Sequence, residues 1–476
     1  MNLIKNLLLT GTVSCILFTA CKVPALVTAP QPKAAPSTYG SSGDTTNTGA
    51  LKWRTFFADE NLVKLIDTAL VNNQELSITL QEIEIARNEI RMRQGRILPT
   101  VTAGGSAGIE KVGRFTSQGA GDASTEITSG KGVPDWLPDF RLGLFANWEV
   151  DAWKKLRTAK KAAITRYLAT VEGRNFVITN LVAEIANSYY ELLALDNQLQ
   201  IVKQTILLQQ NALEIVRIQK QAAAATELAV KKFEAEVLNS QSTEFDIRQQ
   251  ITAKENSLNF LLGRYPQPIS RDTSGILMLV PSQVATGIPS QLLINRPDIK
   301  QAELELAAAK LDVTVARAEF YPSFNISAGL GLQAFSPKYI YRLPESVLFS
   351  LVGDVAGPLI NRNAIKAEYS NANARQIQAV YNYERTILNA YVEVSTELSN
   401  IKNRDQIFTL KSKQVNTLSA TIEIANDLFK SSRANYLEVL LTQRDALESK
   451  LQLIETRLSQ FNSVTNIYRA LGGGWK

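Results

Sequence analysis

The chain has no histidine, only two cysteines and only three methionines. Without histidine, the Ser-His-Asp and Cys-His arrangements are excluded, as is every His-ligated metal site. Both cysteines, Cys15 and Cys21, stand near the start, so the rest of the chain forms no internal disulfide and no thiolate metal cluster. No Lys/Arg run reaches five, and 51 Lys and Arg against 45 Asp and Glu leave a net charge of +6 over 476 residues. That balance gives no reason to expect a nucleic-acid partner. No Gly-rich phosphate loop and no convergent acid pair is present, so the sequence reads as a non-enzyme without cofactor or metal. No apolar run approaches the ~18 residues of a membrane-spanning helix. Hydrophobic residues still make up 45% of the chain, enough for a large core.

The first 20 residues read as a targeting segment. Lys5 precedes the apolar run Leu7–Phe18, which is too short to span a bilayer. The run closes on Phe18-Thr19-Ala20-Cys21, small residues before a cysteine. This is similar to a bacterial lipobox, with Phe18 where Leu is usual, and implies lipidation of Cys21 and loss of Cys15 with the signal. The alternative is an ordinary signal peptide followed by a chance cysteine. Pro24, Pro30, Pro32 and Pro36, then Gly, Ser, Thr and Asn up to Gly49, make residues 21–49 an anchor and disordered tether.

The body is a duplication. With an offset of 223 positions, Glu82 falls on Glu305, Ala86 on Ala309, Ile90 on Val313, Pro99 on Pro322 and Val101 on Phe324. In both copies a helical pattern stops at the proline and an alternating pattern follows. Each half also closes on a Leu-Gly pair, Leu262-Gly263 and Leu471-Gly472. The expected layout is a first repeat at 50–264, a connector at 265–289, a second repeat at 290–473 and a tail at 474–476.

Four runs alternate strictly enough to predict strands, at about 100–109, 140–150, 323–333 and 346–355. In the third, Phe324, Ile326, Ala328, Leu330 and Leu332 alternate with Ser323, Asn325, Ser327, Gly329 and Gly331. In the second, only Phe145 breaks the pattern; the fourth, around Val347, Phe349, Leu351 and Val355, is weaker. Each run has about the length of a tilted membrane strand. One face would meet lipid and the other, rich in Gly and Ser, water. Four strands cannot close a barrel and an open edge in lipid is not viable, so several subunits must pool their strands.

Between strands run very long helices. No proline occurs from Ala152 to Gln221, and apolar residues recur at heptad spacing, from Ile164 and Leu168 through Ile178, Val182, Ile185, Tyr189 and Leu192 to Ile206 and Leu213. Such a helix of about 70 residues extends roughly 105 Å. A second seam runs from Leu440 to Tyr468. Each half holds one helical hairpin, turning near 221–227 and 430–436. Loops at 110–139 and 336–345 join the strands. The hairpin turns are placed farthest from the membrane.

At this point the sequence resembles a TolC-type outer membrane factor, nearest to the NodT-like subgroup of efflux lipoproteins. The residues that carry this are Trp53-Arg54-Thr55-Phe56-Phe57, the corner Asn147–Trp153, Asn295-Arg296-Pro297-Asp298, Tyr436-Leu437-Glu438-Val439-Leu440, and Tyr468-Arg469-Ala470-Leu471-Gly472-Gly473-Gly474-Trp475. The resemblance implies an α+β fold in which long antiparallel helices form a periplasmic α-barrel and each subunit gives four strands to a 12-stranded barrel. It also implies a homotrimer, docked to a periplasmic adaptor and an inner-membrane pump of the RND type, acting as a passive duct in the outer membrane. Glu438 matches the first acid of the pair that often lines the family's constriction; Leu441 occupies the second position. The turn residues Ala223, Ala224, Thr226, Ser432, Arg433 and Asn435 are the expected adaptor contacts. Two other readings stay open: the exit duct of a type I protein secretion system, and a periplasmic adaptor lipoprotein. The latter would carry one hairpin and no paired membrane strands.

Overall fold

The computed structural model describes residues 23–28, 30–31, 36, 38–39, 46–272, 275–358, 360, 362–431 and 433–476. The chain folds as two compact units, each assembled from separated stretches. One, the sheet unit, comprises 1–31, 84–167 and 304–380; the other, the helical unit, comprises 32–83, 168–303 and 381–476. The elements in order are α1 (Glu60–Asn72), α2 (Gln74–Gly95), β1 (Thr100–Glu110), β2 (Leu137–Val150), α3 (Lys155–Gln221), α4 (Glu227–Leu261), α5 (Pro297–Ala318), β3 (Ser323–Ala334), β4 (Val347–Ala356), α6 (Asn363–Lys430) and α7 (Tyr436–Ala470). Among the described residues no helix is long and apolar enough to cross a membrane.

The sheet unit holds one antiparallel four-stranded sheet in the order β1-β2-β3-β4. Its strands come two from each half of the chain. The segment 111–136, expected as a loop, instead carries a short helix Ser117–Ser124 and a small hairpin of Glu126–Thr128 with Lys131–Gly132. The Thr116 hydroxyl accepts from the Gly119 N–H at 3.1 Å and starts that helix. At the other end of the strands, Asp151 is the hinge from strand to helix. Its carboxylate accepts from the Leu156 and Arg157 N–H groups at 2.9 Å each, which satisfies two otherwise orphaned donors of α3. Val23 and Leu26, in the stretch expected as a free tether, pack beside Phe320 and Tyr369, and Asn373 donates to the Val27 carbonyl at 3.2 Å.

The helical unit is built on a core that joins α1, α3, α4 and α7 through Leu62, Ile66, Ile185, Tyr189, Leu258, Ile454 and Tyr468. Phe56 stacks on Tyr468 with ring centroids 3.9 Å apart, and Tyr190 on Phe461 at 4.6 Å. The Tyr189 hydroxyl donates to Asp59, which also caps α1; burial first, then this carboxylate, raises the phenol above its usual range. Along α3 the seam residues Ile178, Val182, Ile185, Leu192, Ile206 and Leu213 are buried, but Ile164 and Leu168 are exposed.

Both halves end by one device. Gly263 and Gly472 have φ of +66° and +86°, and Arg264 and Gly473 donate back to Asn259 and Tyr468 at 3.0 Å each. This is the helix stop in which a left-handed residue lets the chain turn back onto its last carbonyls. A Cβ on Gly263 would meet the Asn72 carbonyl oxygen at 2.2 Å, and one on Gly472 the Asn295 carbonyl oxygen at 2.6 Å. Asn72 and Asn295 are related by the offset of 223 positions that aligns the two halves of the sequence.

Candidate functional site

The strand wall comes first. Register puts Leu142, Leu144, Ala146, Trp148 and Val150 opposite Leu332, Leu330, Ala328, Ile326 and Phe324. These in turn oppose Val347, Phe349, Leu351, Gly353 and Val355. On the outer flank, Val101, Ala103, Ala107 and Ile109 lie on the same face of β1. The face is therefore continuously apolar over all four strands, and it is uncovered: Leu330 is 61% exposed, Phe349 80% and Leu351 76%. A patch of this extent on a water-facing surface would be a liability.

The opposite face is polar and small. Ser327 donates to Asn147 at 3.0 Å, Gln333 donates to Asp139 at 2.7 Å, and Glu149 pairs with Lys155 at 2.6 Å. Phe145, the exception in the alternation, has a physical role here. Its ring lies alongside Gly104 and Gly329, where an added Cβ would stand 3.8 and 3.3 Å from it. An aromatic thus shields two flanking glycines. Gly143 and Gly331 face each other so closely that a Cβ on Gly331 would reach the Leu142 carbonyl oxygen at 2.4 Å.

Aromatic residues mark both ends of the strands. At the helix end, the Trp148 indole donates to Ile97 at 2.9 Å and the Trp153 indole to Pro322 at 2.7 Å. Trp153 also packs against Tyr321 and Phe324, with centroids 5.0 and 6.3 Å away. At the far end, Phe115, Trp136 and Tyr341 are exposed.

In the helical unit the two hairpin ends, far apart in sequence, meet in one cluster of Leu213, Val216, Val230, Phe233, Ala425, Val439 and Leu440. Thr226 starts α4 by accepting from the Ala229 N–H at 3.2 Å, and Asn435 starts α7 by accepting from the Leu437 N–H at 2.6 Å. Ala223 and Ala224 are exposed, Ala223 in the left-handed region at φ +57°. Arg433 is exposed, and its N–H donates to the Leu428 carbonyl at 2.8 Å. Glu438 projects from the first turn of α7, exposed, three residues from the cap. Lys220 and Glu227 bridge the first turn, and the hydrogen bond from Lys220, then its charge, lowers the Glu227 carboxyl. Cys15, Cys21 and Ser432 lie outside the described residues. Behind the turns a groove of about 210 Å³ runs between the hairpins, lined by Gln209, Phe233, Phe429, Val439 and Gln443. Sequence patterning did not single out Gln209 or Gln443; a buried amide interrupting an apolar seam was the available signal.

The Arg-Pro-Asp motif has a structural explanation. Arg296 is buried and forks onto Asp298 at 3.0 and 2.7 Å, Glu393 at 2.8 Å and the Ala470 carbonyl at 2.7 Å. Burial alone would depress its guanidinium; hydrogen bonding and charge from Asp298 and Glu393 outweigh that and hold it above its usual value. Glu393 also pairs with Arg469. In the first half Asn73 occupies the equivalent place and donates to the Leu261 carbonyl at 2.9 Å. Both side chains thus tie the start of a helix leading to the sheet to the last turn of the closing helix.

An uncovered apolar sheet with two bare edges, aromatic belts, and paired long helical hairpins define an outer membrane channel subunit of the TolC-like class. The chain matches over residues 65–264 and 288–473 and belongs to the outer membrane efflux protein family. It is 28% identical over 424 residues to the cation efflux system protein CusC of Escherichia coli, covering 89% of this chain and 88% of that protein. It is 28% identical over 475 residues to the pyoverdine export outer membrane protein OpmQ of Pseudomonas aeruginosa, covering 99% and 97%. A crystal structure of CusC superposes with a TM-score of 0.82 at 26% identity, over 94% of this chain and 99% of that one. The open-state MtrE channel of Neisseria gonorrhoeae shares the fold, with a TM-score of 0.82 at 22% identity over 95% and 99%.

Proposed function

We propose that three copies of this chain form the passive outer membrane exit duct of a tripartite efflux system. The observation that carries this is the open sheet: one unbroken apolar face and two unpaired edges, β1 and β4. In hydrocarbon every backbone group needs a partner, so such edges must pair with further strands. Closed membrane barrels begin at about eight strands, and three copies of four give the twelve that the TolC class uses. Each polypeptide contributes two repeats, 50–264 and 290–473, joined by 265–289. Cys21 carries the lipid anchor. The long helices supply the periplasmic duct, Glu438 a ring in its constriction, and the turns at Ala223–Thr226 and Arg433–Asn435 the contacts for a periplasmic adaptor, which hands cargo from an RND-type inner-membrane pump.

The relatives are named for cations, solvents and pyoverdine, so they share the duct and differ in cargo. Those names also favour efflux over a type I protein secretion duct. The test is twofold. Purified protein in planar bilayers is expected to give cation-preferring channels whose selectivity falls in Glu438→Gln. Expression with its own adaptor and pump in a strain lacking an outer membrane duct is expected to restore export. Absence of any conductance together with absence of complementation would overturn the reading.

A further inference from the structure

The helix end of the sheet unit is strongly basic. The four stretches that flank it (84–99, 151–167, 304–322 and 357–380) hold fifteen Lys and Arg against seven Asp and Glu, a net of +8. The connections at the opposite end (111–136 and 335–346) hold five against four. Most of the excess sits in the first turns of α3, as Lys154, Lys155, Arg157, Lys160, Lys161 and Arg166.

Internal acids answer only part of it. Glu149 and Glu319 hold Lys155 at 2.6 and 3.5 Å, and Asp312 holds Arg166. Asp151, 3% exposed, is committed to the α3 backbone and lies 3.9 Å from Arg157. Lys154, Lys160 and Lys161 have no acidic partner among the described residues, and Lys154 and Lys161 are exposed. The first turn of a helix disfavours cations, because the peptide dipoles place positive potential there, and Lys154 stands at that end, with Lys160 and Lys161 in the turn that follows. A cluster of lysines without acidic partners presents a positive patch suited to an anion from outside the chain. The neighbouring residue says which kind. Trp153 is 48% exposed, and its ring packs on Phe324, a member of the apolar strand face. An amphipathic ring at the edge of an apolar band, beside cations, has the composition of a headgroup-level belt.

We propose that this collar binds the headgroups of anionic phospholipids in the leaflet facing the helices, with Lys154, Lys160 and Lys161 as the contacts and Trp153 at the acyl boundary. The proposal rests on the membrane reading of the sheet given above. It is tested with the full chain reconstituted in vesicles of phosphatidylcholine containing brominated phosphatidylglycerol or brominated phosphatidylcholine. A Trp136→Phe background leaves Trp148 and Trp153 as the tryptophans of the sheet unit. Quenching is expected to show a preference for phosphatidylglycerol of about fivefold or more at low salt, lost in 0.5 M salt as bulk ions screen the headgroups. The triple variant Lys154→Gln/Lys160→Gln/Lys161→Gln is expected to bring the preference close to one. The triple Lys→Arg variant keeps it, and Lys111→Gln/Lys131→Gln at the far end leaves it unchanged. Equal quenching by both lipids in the unmutated collar, or a preference that survives the Lys→Gln triple, overturns the proposal alone. Absence of quenching by either lipid overturns the membrane reading and the proposal together.

Discussion

Arg296→Met tests how the second half is tied together. The guanidinium makes four short polar contacts, two to Asp298, one to Glu393 and one to the Ala470 carbonyl, with its side chain 8% exposed. Removing it leaves Asp298 with the Ile299 N–H and takes one donor from Ala470. Glu393 keeps Arg469. Breaking a buried ion pair by deleting one partner costs about 3–5 kcal/mol. Because Glu393 retains a cation and is 29% exposed, the low end applies, about 3 kcal/mol. Arg296→Lys keeps the charge but not the planar fork, and is expected to lose about 1–2 kcal/mol. Asn73→Ala, at the equivalent place in the first half, removes a neutral donor and a helix cap, also about 1–2 kcal/mol. Denaturant unfolding of the detergent-solubilised protein, followed by far-ultraviolet circular dichroism, measures all three. Combined with Glu393→Gln, Arg296→Met is expected to show a coupling of at least about 1 kcal/mol. If Arg296→Met costs no more than Asn73→Ala, the tie is not what the motif supplies.

Three further outcomes are expected. Leu330→Arg puts a charge in the middle of the apolar face and is expected to cost about 2–4 kcal/mol, read as loss of assembled protein in the outer membrane fraction. Gly331→Ala forces the strands apart at a contact of 2.4 Å and is expected to cost about 1–3 kcal/mol, whereas Gly353→Ala, with open space around it, is expected to be neutral. The Glu227 carboxyl lies below its ordinary range because of Lys220. A depressed acid stabilises above its unfolded value and loses that contribution as pH falls through its folded value. Protection factors for hydrogen exchange at Ala222–Thr226, corrected for the intrinsic pH dependence of amide exchange, are therefore expected to fall on acidification in the native chain and to be insensitive to acid in Glu227→Gln.

Much of the sheet was legible because its signal is local. Period-two alternation placed β1 and β3 to within a residue, and only long-range geometry explains Phe145, whose ring serves glycines on two other strands. The start of β2 at Leu137 was hidden by Pro138, which speaks against a strand until its pairing with Ile109 is known. The helix Ser117–Ser124 was hidden too, since four of its eight residues, Ser117, Gly119, Gly121 and Ser124, are poor helix formers and its cap lies outside it. The heptad seam marked which residues of α3 prefer contact, not which of them another element covers, so Ile164 and Leu168 looked like core. The offset of 223 places Asn73 on Arg296, but an amide and a guanidinium are unlike in chemistry, so the residue types gave no hint that the two do one job. The meeting of the two hairpin ends is a contact across about half the chain, which no local pattern encodes.

The central claim is that the bare edges of the sheet are closed by other copies. Within one chain, β1 and β4 are separated by two strands, about 14 Å from edge to edge. Cysteines scanned along Thr100–Ser106 in β1 and along Val347–Asp354 in β4 therefore cannot bridge within a chain. In native outer membranes, oxidation of the correctly registered pair is expected to yield covalent species ending at a ring of three. Monomer alone at every register tried would contradict the account.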